Sequence, residues 1–384
     1  MTSPWARRAA LLITATVTVG VLAACTPTPT PAGPGSTSPS GTTAPTATPT
    51  PTPTLSSLDT TAPTPLVNLS CDDLTSTAEV QKAYPGVPLV ATTDLADGDL
   101  AGVGNALPVS YYVRADGGVE CLWDTKPVDN YQFTGKPNPS FEINVVFNAA
   151  AAWAAYQKGA FFTGNNYGAC DVGICQTDDF VNNTWIDILE LEPNQNHQSD
   201  VVQAVEKSAI NAVKSGGVAA ALPAAPAGTL ALGTQCPDFI ADSDVQSALG
   251  SSGSVVSSTP TAYLEDESTF STWDAAQSAM HDKPCVWKSG GKKIGALNWI
   301  PAGAWAWKEA QTHSLIDGPA QPLTVAGLHS GDGAWVRCDT AQTSCIADLV
   351  IGGNWIEASL AKTGPSSKMA AITAIATSIV AKLG

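Results

Sequence analysis

The chain has 384 residues, 18 of them Lys or Arg and 34 Asp or Glu, for a formal charge of −16. So acidic a polypeptide repels phosphate backbones and anionic headgroups, which argues against nucleic acid and bare anionic lipid surfaces as partners. Its 44% of hydrophobic residues is ample for folded cores, and it carries nine cysteines.

The first element is a signal. Arg7 and Arg8 precede an apolar stretch from Ala9 to Ala24, too short and too interrupted by Thr for a comfortable membrane-spanning helix. The stretch ends in Leu22-Ala23-Ala24-Cys25, small residues before a cysteine, as in the lipobox of bacterial lipoproteins. Residues 1–24 are therefore expected to be removed, with Cys25 carrying the lipid that holds the chain on the outer face of a membrane. Removing the two arginines of the signal leaves 16 basic against 34 acidic residues, 16 − 34 = −18. From Cys25 to residue 66 the chain is mostly Thr, Pro, Ser, Ala and Gly. Proline fixes φ and removes donors, so this tether should run extended, reaching roughly 120 Å at about 3.1 Å per residue.

The remaining sequence reads as one pattern written twice. Cys71 is followed by Val80-Gln81, Cys121-Leu122-Trp123, Cys170-Asp171, Cys175 and Trp185-Ile186. Cys236 is followed by Val245-Gln246, Cys285-Val286-Trp287, Cys338-Asp339, Cys345 and Trp355-Ile356, at nearly the same spacings. The predicted domains are residues 67–217 and 232–384, joined by an Ala/Pro/Gly linker at 218–231. In each, a helix opens the copy (Leu74 to Ala83; Phe239 to Leu249). A Cys-x-Trp strand follows, and a hairpin turns at Asn182-Asn183 or Gly352-Gly353-Asn354. Phe141 to Phe147 alternates as a strand, and Ala149 to Lys158 turns helical with Trp153 on its apolar face. Val201 to Val213 and Met369 to Leu383 close the copies as amphipathic helices. The expected fold is α+β: two tandem homologous domains, each an antiparallel sheet with packed helices and two disulfides.

Eight cysteines after Cys25 in an exported chain read as four disulfides. Cys170–Cys175 and Cys338–Cys345 each flank a tight turn. That leaves Cys71–Cys121 and Cys236–Cys285 to tie the first helix of each copy to its Cys-x-Trp strand. No cysteine spacing suits zinc.

The lipobox, the Pro/Thr tether and the Cys…Cys-x-Trp…Cys pattern together resemble small secreted lipoproteins of actinobacteria, here with the domain in tandem. The resemblance implies an extracytoplasmic binding or sensing module and supplies no catalytic residues.

Other chemistry is thinly represented. His197, His281, His313 and His329 have no equivalents between copies, and no Gly-x-Ser-x-Gly elbow is present, so the chain is not expected to be an enzyme. Asp94 to Asp99 lacks EF-hand spacing and reads as a solvated acidic turn. No cofactor is expected. Trp123, Trp153 and Trp185 correspond in the pattern to Trp287, Trp305 and Trp355, which suits core packing beside disulfides. The second copy adds Trp273, Trp299, Trp307 and Trp335. It is also less acidic, with 14 acidic and 9 basic residues against 19 and 7 in the first. Ligand contact is therefore expected near Trp299, Trp305, Trp307 and Trp335, against a cell-wall glycan or an envelope protein. A structural role in envelope assembly is the main alternative, and an envelope hydrolase the lesser one.

Overall fold

The first two helices begin at serines, Ser70 and Ser76. The computed structural model describes residues 61–92, 109–124, 140–157, 174–191, 199–217, 224–258, 285–313, 320–338, 345–360 and 368–384. The signal, Cys25, most of the tether and the Asp94 to Asp99 turn lie outside them. Helix α1 (Cys71–Leu74) starts at a capping box, in which Asp73 accepts the Ser70 N–H at 2.8 Å. That bond and the Ser70 hydroxyl hold the Asp73 carboxyl below the usual carboxylate range. Ser76 then caps α2 (Thr77–Val80) by accepting the Glu79 N–H. The C-terminal half repeats the device: Asp238 accepts the Gln235 N–H at 2.9 Å as α6 (Cys236–Phe239) begins, and α7 (Asp242–Ala248) follows. The single opening helix expected in each half is thus two short ones. Extended residues, Thr75 and Ile240, break them.

The N-terminal half builds a five-stranded antiparallel sheet from β1 (Val90–Thr92), β2 (Val119–Asp124), β3 (Ser140–Val146), β4 (Ile174–Val181) and β5 (Thr184–Leu191). Its order is β1-β2-β3-β5-β4. The C-terminal half builds seven strands: β6 (Val255–Ser258), β7 (Cys285–Ser289), β8 (Lys292–Ile300), β9 (Gln321–Pro322), β10 (Gly333–Cys338), β11 (Cys345–Ile351) and β12 (Asn354–Leu360). Their order is β6-β7-β8-β12-β11-β10-β9. The long hairpins turn where left-handed backbone is affordable, at Asn182-Asn183 (φ 52° and 62°) and Gly352-Gly353 (φ 52° and 85°). The other α-helices among the described residues are α3 (Val109–Ala115), α4 (Ala150–Tyr156), α5 (Ser199–Gly216), α8 (Ala304–His313) and α9 (Lys368–Leu383).

Alternation along the strands sends one set of side chains to the helices and the other to the far face. Val119, Cys121, Trp123, Phe141, Ile143, Val145, Ile186 and Ile188 meet α1, α2 and α5 in one core. Trp287, Leu297, Trp299, Leu349, Ile356 and Ala358 meet α6, α7 and α9 in a second. The far faces feed a third core shared by both halves: Tyr111, Val146 and Trp185 from the first, and Ile300, Trp305, Trp307, Trp335, Val350 and Trp355 from the second.

Among the described residues, three disulfides staple this frame. Cys71–Cys121 ties α1 to β2, Cys236–Cys285 ties α6 to β7, and Cys338–Cys345 joins β10 to β11. Cys170, and with it the expected Cys170–Cys175 bridge, lies outside the described residues. The expected linker ends earlier than composition suggested. Leu230 donates its N–H to Gly352 O at 2.8 Å and accepts the Asn354 amide at 3.0 Å, so the chain is docked on the C-terminal hairpin from that residue on. No helix among the described residues is long and apolar enough to cross a membrane.

Loop length sets the value of each staple. Replacing Cys236 and Cys285 by Ala should lower the unfolding free energy by about 4 kcal/mol, and replacing Cys338 and Cys345 by about 2 kcal/mol. Denaturant titration checks both; equal losses would mean that closing the longer loop adds nothing.

Candidate functional site

The seam between the two sheets is where the sequence-predicted rings gather. Helix α3 is the wedge. Its Tyr111 meets Trp305 and Trp355 edge-on, with ring centroids 5.8 and 5.6 Å apart. One turn later, the Arg114 guanidinium lies 4.6 Å from the Trp305 ring and grips Glu309 with two bonds of 2.7 and 3.1 Å. Trp305 and Glu309 are themselves one turn apart on α8, so two i,i+3/i+4 pairs interlock. Trp307 completes the cluster, 5.0 Å from Trp335 and 5.4 Å from Trp355.

Of the four rings expected to contact a ligand, the structure brings three together. Trp305, Trp307 and Trp335 are at the seam, and Trp299 instead packs on Phe239 in the sheet–helix core. All four are buried, at 2%, 2%, 4% and 1% exposure. The seam as it stands offers none of their faces to solvent. The ring pairing read from sequence is also corrected. Asn148 and Ala302 share a left-handed φ (55° and 52°) before their helices. Trp153 N–H bonds to Ala149 O as Trp307 N–H bonds to Gly303 O. The structural counterpart of Trp153 is therefore Trp307. Each contacts the hairpin tryptophan of its own half, Trp185 at 5.3 Å and Trp355 at 5.4 Å.

Beside these rings run buried charges. In the C-terminal sheet Asp348 and Glu357 face one another in register, next to Asn298. Arg337 from β10 bonds Asp348 at 2.8 and 3.2 Å and Glu357 at 3.3 Å. Burial and the Asp348 charge push the Glu357 carboxyl up to about 7, against the pull of Arg337. Trp355 donates its indole N–H to Asp348 at 3.0 Å, and in the other half Trp185 donates to Asp178 at 2.7 Å. There Asp178, Asp187, Asn144 and Glu120 align across β4, β5, β3 and β2 in a single row. The aspartate seven residues before each hairpin tryptophan was a legible spacing that the sequence reading passed over. Tyr111, Arg114 and Glu309 carried no such signal.

No group of three or more His, Cys, Asp or Glu among the described residues is arranged to hold a metal ion. His329 is exposed, 3.8 Å from Asp332. His197 and His281 lie outside the described residues, and His313 ends α8. Comparison with protein-family models, with curated proteins and with solved structures yields no match.

Two consequences can be measured. Arg337→Met leaves two carboxylates buried without their cation, which should cost about 3–5 kcal/mol at pH 7. The loss should shrink at pH 5, where Glu357 is protonated; a loss independent of pH would contradict the network. Asp116, in the turn after α3, is wholly buried with neither oxygen hydrogen-bonded, and burial pushes its carboxyl up to about 8 from 3.8. Such a raised group stabilises the fold fully below about pH 4 and loses that contribution as pH rises to about 8. Asp116→Asn should therefore match the wild type near pH 4 and exceed it at pH 9 by on the order of a few kcal/mol. Unfolding midpoints across that range decide the matter.

Proposed function

We propose that this chain is an exported lipoprotein, anchored through Cys25 on the outer face of a membrane, that works by noncovalent binding of an envelope ligand or partner. Its folded part is a duplicated α+β module. One observation carries the reading: Cys71–Cys121 and Cys236–Cys285 join the opening helix to the second strand in order at matching places of the two sheets. A repeated disulfide frame belongs to an oxidising compartment, and it follows a lipobox and a Pro/Thr tether in the sequence. Further correspondences support the duplication. Asp73 and Asp238 form equivalent capping boxes. Gln81 and Gln246 each donate a side-chain amide to a carbonyl of the turn that follows. The Trp185–Asp178 and Trp355–Asp348 bonds span the same seven residues.

The rings on the far faces of the two sheets share one core, and among the described residues Val90 and Val256 are the large hydrophobics left exposed. Self-association through a broad apolar patch is therefore unsupported.

Cys25→Ser should abolish incorporation of labelled palmitate and leave a precursor with its signal attached. Processing and fractionation identical to the wild type would remove the lipoprotein reading.

A further inference from the structure

The last hairpin and closing helix of the two halves correspond residue for residue. Cys175 and Cys345, Asp178 and Asp348, and Trp185 and Trp355 each differ by the same count, 345 − 175 = 170. The inward faces of the closing helices keep that offset: Val205 and Ala209 of α5 answer to Ile375 and Ile379 of α9, all buried. One difference stands out against this match. Beneath and on α9 the second half places Ala347, Leu349, Leu360 and Ala376, all in its apolar core. The first half has Thr177, Asp179, Glu190 and Glu206 at those four positions. Thr177, Glu190 and Glu206 are buried nonetheless.

Asp179 of β4 and Glu206 of α5 meet through a side-chain hydrogen bond. Two carboxyl groups make such a bond only while one of them keeps its proton. Burial, that bond and the Asp179 charge push Glu206 up from its usual 4.5 to about 8. Among the described residues, the elements packed on α5 bring no cation to the pair. Helices α1 and α2 and residues 81–83 meet α5 with Leu74, Val80 and Ala83. Of their charged groups, Asp72, Asp73 and Lys82 are exposed, and Glu79 is paired with Lys82. On the same face β5 offers Ile186, Ile188 and a further carboxyl, Glu190. Lys207 and Lys214 lie on the exposed side of α5 itself.

We propose that the first half carries a pH-responsive latch that the second half lacks: one proton, held between Asp179 and Glu206, fastens α5 to β4. Losing it sets two carboxylates against each other in a largely buried contact. Glu206 is the raised member, so the latch is fully fastened below about pH 4.5 and slackens as pH rises to about 8. Leu349 and Ala376 hold the same place in the second half and have no proton to lose.

Hydrogen exchange read by mass spectrometry on the full chain, corrected for the intrinsic pH dependence of amide exchange, reports the opening of α5 and α9 separately. From pH 5.5 to 7.5 the opening constant of α5 should rise about tenfold per pH unit. Glu206→Gln keeps a donor toward Asp179 without a titrating proton and should flatten that rise. The double replacement of Asp179→Leu with Glu206→Ala installs the second half's residues. It should flatten the rise as well, and leave α5 better protected than in the wild type at pH 8. The latch is refuted if the opening of wild-type α5 does not change with pH over this range, or if either variant keeps the full wild-type slope.

Discussion

A β-sheet has two faces, and helices packed on one leave the other to be dealt with. Here the far face of each sheet carries large rings next to carboxylates: Val146, Phe180 and Trp185 beside Asp178 and Asp187 in one, and Trp335, Val350 and Trp355 beside Asp348 and Glu357 in the other. Neither composition suits water or a purely apolar core. Apposing the two faces, with α3 and α8 at the join, buries the rings, while within each sheet indole N–H groups, and in the second also Arg337, meet the carboxylates. The remaining architecture follows from that requirement. Residues 61–66 enter beside the join, and the opening helices are stapled on the opposite faces.

The balance of terms at this join is specific to its polar members. A buried ion pair contributes little net stability against an apolar replacement, because the desolvation of both charges offsets their attraction. Arg337 and its two carboxylates are better understood as setting register. They fix which residues of β10, β11 and β12 lie abreast, and only that register puts Trp335 and Trp355 against Trp307. The aromatic contacts then add about 0.5–1.5 kcal/mol per well-placed pair beyond their burial.

Much of the frame could be read from residue order. The cysteine spacings indicated which helix meets which strand, and Asn182-Asn183 and Gly352-Gly353 marked the hairpins, because few residues adopt left-handed backbone at both turn positions. Other features escaped for physical reasons. Helix α3 is two turns long, with no periodic run to reveal it. Asp348 and Glu357 alternate with apolar residues as solvent-facing positions do, and only tertiary structure shows that the solvent side is covered. The pairing of Trp153 with Trp305 failed because the stretches between the Cys-x-Trp strand and these helices differ in length, so counting residues cannot register them. The shared left-handed residue, Asn148 or Ala302, is what aligns Trp153 with Trp307.

The way the chain enters the fold gives it a mechanical character. Ala62 packs against the seam cluster, the Leu66 N–H binds Gly117 O in the turn after α3, and Val67 and Leu69 lie in the first core. Tension applied upstream is therefore delivered to the base of α3 before it reaches a strand. The Cys71–Cys121 bridge, a few residues further on, is covalent and arrests the load there. Pulling on this molecule from its N-terminal side would work the wedge in the seam before the sheets, so the same short helix that fills the join is also the first part to carry the load.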